Sequence, residues 1–173
     1  MTKANLCLQS TFFNDRPAGA VIDTIVIHSM HSDGKTDACT CIQCLNSNQV
    51  SAHYLIQEDG TLYRCVPENK RAWHAGTSAM PFSDDCRTAV NDFSIGIELL
   101  WDNIAPFPEV QYDSLSNLIK DISSRHPIIN IVGHDHIAPD RKQDPGIFFD
   151  WGLLYSRINQ SGHFRIPHVK QSL

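Results

Sequence analysis

The chain has no apolar run long enough to span a bilayer. Its opening residues, Met1-Thr2-Lys3-Ala4-Asn5-Leu6-Cys7-Leu8, lack the extended apolar core of a secretory leader. Read as it stands, this gives the cytosol as the expected compartment, with the periplasm or envelope as the alternative if a leader has been removed. Positive charge is also in short supply: 14 Lys and Arg face 19 Asp and Glu, for a formal net charge of -5. Nucleic-acid backbones and anionic membranes both select basic surfaces, so neither is an expected partner. No obligate protein partner is implied. Internal repeats and low-complexity tracts are missing as well. What remains is an ordinary globular balance, 42% hydrophobic and 19% charged over 173 residues, enough for one domain with a proper core. The expected domain is 1–173, with a motif-bearing core over about 10–158 and a tail, 159–173, to which no role is assigned.

Six cysteines (Cys7, Cys39, Cys41, Cys44, Cys65, Cys86) are present. In an exported chain they would allow fifteen disulfide pairings; in the cytosol they are reduced thiols. Cys39, Cys41 and Cys44 are close enough to hold a soft metal, but a structural site needs a fourth ligand and only His31 is near. The expectation is a loop carrying free thiols.

The coarse pattern is that of an α/β domain. Ile22–Ile27 and Ile128–Val132 are apolar runs bounded by turn signals and read as buried strands. His53–Gln57 and Thr61–Val66 flank Glu58-Asp59-Gly60 as a hairpin, and Phe93–Leu100 is a further strand. In Pro108–Arg125, Leu115, Leu118, Ile119 and Ile122 follow helical spacing, with Pro127 just beyond the stop. Phe148–Ile158 closes the pattern as a helix. Helices flanking one sheet with both hairpin and crossover links imply a central mixed β-sheet.

The segment Gly133-His134-Asp135-His136-Ile137-Ala138-Pro139-Asp140-Arg141-Lys142-Gln143-Asp144-Pro145-Gly146 follows one of those strands and gathers His134, Lys142 and Asp144. The Ile22–Ile27 strand delivers His28. Two imidazoles and a carboxylate are ligand types that zinc accepts, and three protein ligands leave a coordination position open for water, the arrangement of catalytic zinc.

Together with Val50-Ser51-Ala52-His53-Tyr54-Leu55-Ile56, Lys70-Arg71-Ala72-Trp73-His74-Ala75-Gly76, Asn91-Asp92-Phe93-Ser94-Ile95-Gly96-Ile97-Glu98-Leu99 and Phe149-Asp150-Trp151, that segment resembles the zinc-dependent N-acetylmuramoyl-L-alanine amidases. These share a fold with phage amidases and peptidoglycan-recognition proteins, and the nearest likeness is to the AmpD type. The resemblance runs from about Ser10 to Trp151. It implies the amidase/peptidoglycan-recognition-protein fold, a zinc ion on His28, His134 and Asp144, and hydrolysis of the amide between the lactyl group of N-acetylmuramic (or 1,6-anhydro-N-acetylmuramic) acid and L-alanine, in cell-wall recycling. Muropeptide or peptidoglycan is the implied substrate.

By the same resemblance Glu98 is the catalytic carboxylate and Lys142 the oxyanion-stabilising cation. A buried salt-bridged glutamate is the alternative for Glu98, although an idle charge among apolar neighbours is expensive. Trp73, His74, Ala75 and Gly76, with Tyr54 and Arg71, are expected to line the substrate groove. Core packing is an equal reading for Trp73, and His53 is expected as a buried hydrogen-bonded residue rather than a ligand. Three departures bear on substrate choice: Leu100-Trp101 stands where an acidic residue is common after Glu98-Leu99, the cysteine-bearing segment between His28 and Val50 is short for the AmpD type, and Pro145-Gly146-Ile147-Phe148 replaces a more usual Pro-Gly-Pro. These lean toward related envelope amidases acting on intact peptidoglycan. A non-catalytic recognition module is a further alternative, opposed by the complete set of His28, His134, Asp144, Glu98 and Lys142.

Overall fold

The computed structural model describes residues 6–7, 9–31, 37–102, 104–158 and 163–167. Cys7 and most of the 159–173 tail therefore have no described side chains.

Among the described residues, eight strands and four α-helices follow one another as β1 (Leu6–Cys7), β2 (Phe13–Asp15), β3 (Thr24–His31), α1 (Ala38–Ser47), β4 (Tyr54–Ile56), β5 (Leu62–Arg64), β6 (Lys70–Ala72), β7 (Ser94–Trp101), α2 (Glu109–Ser123), β8 (Asn130–Gly133), α3 (His134–Ile137) and α4 (Trp151–Ile158). Six strands form one sheet in the order β1-β5-β4-β7-β3-β8, and β2 and β6 make a separate antiparallel pair. β4, β7, β3 and β8 run parallel, whereas β5 is antiparallel to β4, so the sheet is mixed as expected. β7 is buried along all eight residues, as a central strand covered on both faces should be.

The two faces differ. On one, Ile25, Ile27, Ile95, Ile97, Leu99 and Tyr54 pack against Leu115, Ile119 and Ile122 of α2 and Leu154 of α4 in a single large core. On the other, two smaller clusters are separated along the strands. Val26 and Val132 join Ala75, Met80, Val90 and Ile137, while Leu55 and Leu100 meet α1. Between Val26 and Leu100 on this face fall His28, Gly96 and Glu98. A polar strip thus interrupts the core where period-two alternation would otherwise continue it.

Several boundaries differ from the sequence expectation. β3 runs on to His31 because its pairing with β7 continues through His31↔Trp101, so His28 lies inside the strand rather than at its end. The loop expected for the cysteine cluster is instead helix α1. Asp37 caps it by accepting from Thr40 N at 2.9 Å, and Ala38, Cys41, Ile42 and Leu45 form its buried stripe. Cys41 acts there as a small apolar residue, while Cys39 and Cys44 point to solvent and all three are free thiols. They do not converge on a metal with His31, which is exposed at the end of β3.

The expected hairpin is present: Gly60 takes φ +80° in its turn, and a Cβ there would lie 2.8 Å from Ser114 Oγ of α2. Part of the tail also acquires a role, since Arg165 pairs with β8 through Ile131 N→Arg165 O (2.9 Å) and Arg165 N→Ile129 O (2.7 Å). No helix among the described residues is long and apolar enough to cross a membrane.

Candidate metal centre

The register of the parallel strands assembles the site. His28 in β3 lies directly beside Glu98 in β7, and β8 ends level with Ile27, so that His134 follows at the top of the sheet. Carboxyl ends of parallel strands are the usual place for ligands in such sheets. The chain then loops back after α3. Asp135 N donates to Asp144 O at 2.8 Å, which brings the Asp144 side chain over the two histidines.

His28 Nδ1, His134 Nδ1 and Asp144 Oδ2 form a triangle with sides of 3.0, 3.1 and 3.1 Å. Among the described residues this is the one group of His, Cys, Asp or Glu side chains that converges in this way. A tetrahedral ion with bonds of about 2.0–2.1 Å has donor-to-donor edges of about 3.3–3.4 Å, so the triangle is slightly tight but of the right size. Burial pushes His28 down to about 4, which leaves it neutral at neutral pH, the form that ligates metal. Burial also opposes ionisation of Asp144, but the two facing imidazoles outweigh it and hold the carboxyl far below the usual range. Imidazoles in the metal-ligating form, with one N–H each, and a carboxylate cannot satisfy one another pairwise at these distances. A cation at their centre satisfies all three.

Glu98 is the second unusual group. It is 8% exposed, and its Oε2 is buried without a hydrogen-bond partner. Burial and, secondarily, the charge of Asp144 push its carboxyl up to about 8, with Lys142 acting in the opposite sense. An orphaned carboxylate oxygen beside a donor triangle fits a site that takes up a metal and a water.

Lys142 and Asp144 line a cleft of about 1060 Å³ together with Ser29, Trp101, Ile147 and Phe148. Two of the three segments that carry the departures noted in the sequence thus share one wall beside Asp144. Trp101 stacks on Phe107 at 4.8 Å and meets Phe148 at 5.5 Å.

The residues expected to line the substrate groove are scattered. Trp73 is half-buried, its Nε1 donating to Asn14 Oδ1 at 2.8 Å, and Gly76 is exposed with φ +58°. Arg71 is tied to Asp92 and Asn14. Tyr54 does not belong to this face: alternation along β4 turns it into the large core, and its hydroxyl donates to Glu68. His74 and Ala75 are buried behind the triangle rather than open to a groove. His53 is fully buried and hydrogen-bonded, accepting from Gly96 N and donating to Lys70 O, both at 3.0 Å. Ser94, Gly96 and Asn91 also pack around the site and were not singled out in the sequence. The signal was there, since Ser94, Gly96 and Glu98 alternate onto one face of β7.

A profile of the N-acetylmuramoyl-L-alanine amidase family (Amidase_2) matches residues 18–147. The chain belongs to this family. The 1,6-anhydro-N-acetylmuramyl-L-alanine amidase AmpD of Citrobacter freundii is 43% identical over 117 residues, covering 66% of this chain and 60% of its own. The chain thus spans about three fifths of the length of that curated relative. A crystal structure of an AmpD selenomethionine derivative superposes with a TM-score of 0.75 at 32% identity, covering 89% of this chain and 94% of that one. The Escherichia coli amidase AmiD, in complex with anhydro-N-acetylmuramic acid-L-Ala-D-gamma-Glu-L-Lys, superposes at 0.69 with 34% identity, over 82% of this chain and 60% of its own. The N-acetylmuramoyl-L-alanine amidase fold is therefore that of the α/β mixed sheet described above.

Proposed function

We propose that this chain is a zinc-dependent amidase that cleaves the bond between the lactyl group of 1,6-anhydro-N-acetylmuramic acid and the L-alanine of a stem peptide, with soluble muropeptides of cell-wall recycling as its substrate and the cytosol as its compartment. The observation that carries this reading is the triangle of His28, His134 and Asp144 set beside the unpartnered Oε2 of Glu98. A zinc ion held by the three would supply a Lewis acid that polarises the scissile carbonyl and acidifies water. Glu98, with Oε2 free and a proton affinity raised by burial, would in its carboxylate form take the proton of the attacking water and return it to the departing alanine amine. The new C–O bond and the broken C–N bond leave a lactyl carboxylate and a free peptide. Lys142, a half-buried cation in the cleft wall, is assigned to the oxygen that gains charge as the carbonyl is attacked. Trp73 and Gly76, which reach solvent, are assigned to the stem-peptide side.

The second reading keeps the chemistry and changes the substrate to intact peptidoglycan in the envelope. It is favoured by the aromatic wall of Trp101 and Phe148, which lie in two of the segments where the sequence departs from the AmpD pattern.

Mass spectrometry of the products from anhydro-muropeptides and from sacculi, run side by side, separates the two. Release of stem peptide from the soluble substrate alone is the expected result. The protein should hold about one zinc per chain, and His28→Ala or His134→Ala should remove metal and hydrolysis together. Stoichiometric zinc surviving in both variants would overturn the ligand assignment.

A further inference from the structure

The hydrogen bonds of the metal triad continue inward, away from the cleft. His28 Nε2 lies 3.0 Å from His74 Nδ1, and His74 Nε2 lies 3.2 Å from Ser94 Oγ. All three residues are buried. The ring of His74 lies flat against β7 only because residue 96 is glycine: a Cβ there would stand 2.5 Å from His74 Cγ. On its other side His134 Nε2 faces Ala75 O at 3.3 Å. Both outer nitrogens of the two imidazole ligands therefore end on one dipeptide, His74-Ala75. That dipeptide is itself anchored, since His74 N and Ala75 N both donate to Asn91 Oδ1, at 3.1 and 2.8 Å. Arg141 Nη2 adds a bond to Ala75 O at 2.7 Å.

A row of imidazoles can carry its protons in two directions. In one, Ser94 donates to His74 Nε2, His74 Nδ1–H donates to His28 Nε2, and the proton of His28 sits on Nδ1, pointing into the triangle. In the other, His28 Nε2–H donates to His74 Nδ1, His74 Nε2–H donates to Ser94 Oγ, and His28 Nδ1 offers a lone pair to the triangle. Only the second direction leaves His28 able to ligate. The outer partner of a metal-bound histidine sets its tautomer and ring orientation in this manner.

We propose that His74-Ala75, anchored by Asn91 and polarised by Ser94, positions both histidine ligands: His74 accepts from His28, Ala75 O accepts from His134, and each imidazole is thereby committed to Nδ1 as its metal donor. His74 is on this account a positioning residue, not a groove residue. The inference deepens the zinc reading above and rests on it.

The test measures zinc affinity by chelator competition and the visible spectrum of the cobalt-loaded protein. His74→Leu removes the acceptor and should weaken zinc by about 10–100-fold. His74→Asn loses the ring as well but keeps an oxygen where Nδ1 stands, and should recover most of that loss with a cobalt spectrum close to wild type. A merely structural role would rank the two variants by the cavity they leave, which is larger for Asn. Asn no better than Leu, or Leu with unchanged affinity, overturns the proposal. Ser94→Ala covers the case in which His74→Leu fails to fold. It frees His74 to carry its proton on Nδ1, so a weaker zinc site is expected and an unchanged one is contrary. A wild-type chain that takes up no zinc overturns the zinc reading itself, whereas a zinc-loaded wild type with an indifferent His74→Leu overturns this inference alone.

Discussion

Two glutamates, one on each face of the sheet, show how the same side chain can be spent on structure or held for chemistry. Glu68 is surrounded by donors: Tyr54 Oη, Arg125 (2.8 Å) and His126 Nε2 (2.8 Å) all reach its carboxylate. Burial works against its charge, but those hydrogen bonds outweigh burial and bring it down to about 2. Glu98 is more deeply buried, lacks a partner at Oε2, and is pushed up to about 8. A satisfied carboxylate lowers the energy of the fold. An orphaned one raises it, and is tolerated only where something else needs the oxygen.

The largest expected effect sharpens this contrast. Glu98→Gln should keep the metal and the fold while turnover falls by about 100-fold or more, the scale of a general base. A loss below tenfold would make Glu98 a structural residue like Glu68. Lys142→Ala should come next. If it acts on the developing oxyanion, kcat and kcat/KM fall together by about 100-fold with KM nearly unchanged. Arginine should rescue poorly, because its planar fork does not replace a compact ammonium. A KM that rises at constant kcat would move Lys142 to recognition of the stem peptide.

The two glutamates should also tilt the pH dependence of stability in opposite directions. The folded value of Glu68 is depressed from 4.5 to about 2, so its contribution is present above 4.5 and fades as pH falls through 2. The folded value of Glu98 is raised from 4.5 to about 8, so in metal-free protein its contribution is full below 4.5 and is lost as pH rises through 8. Denaturant midpoints of the metal-free protein should lose the slope between 4.5 and 8 in Glu98→Gln, and the acid limb in Glu68→Gln. The latter variant should also lose about 1–2 kcal/mol at neutral pH, a modest figure because Arg125 and His126 are partly exposed. Equal slopes in both variants would dissolve the comparison.

The smallest effect concerns α1. Cys39→Ser and Cys44→Ser should leave stability within about 0.5 kcal/mol of wild type, whereas Cys41→Ser puts a hydroxyl into an apolar cluster and should cost about 1 kcal/mol or more. Zinc content should not change in any of the three. Loss of a second metal equivalent would show that the thiols act together after all.

Five of the six strands of the sheet, β3, β4, β5, β7 and β8, and the helix over 109–123 were legible because alternation and the helical repeat reflect burial directly, whereas β1 was not among the expected strands. So was the triad, whose residue types and motif order are specific. α1 is expected as a loop of free thiols because cysteine is a weak apolar signal, although Ala38, Cys41, Ile42 and Leu45 carry helical spacing and Asp37 stands at its cap. β2 and β6 were missed since neither shows an apolar face: Phe13–Asp15 are exposed and pair with Lys70–Ala72. Tyr54 and His74 were placed in the groove by their motifs. Tyr54 is turned away by the alternation of β4, and His74 is drawn inward by a hydrogen bond to a residue 46 positions earlier. Partners that distant leave no local trace.

The eight-rung ladder from Thr24↔Ser94 to His31↔Trp101 has a consequence of its own. It works as a vernier for the active site. A strand shifted by one rung would bury nearly the same apolar mass, yet it would face Ile27 toward Glu98 and turn His28 to the opposite side. A single-residue deletion between Thr24 and His28 should therefore abolish activity even where the chain still folds, while one beyond Met30 should be borne far better. If the proposed hydrolysis is measured, it doubles as an assay of strand alignment, and a library of one-residue insertions and deletions along β3 would read the ladder out rung by rung.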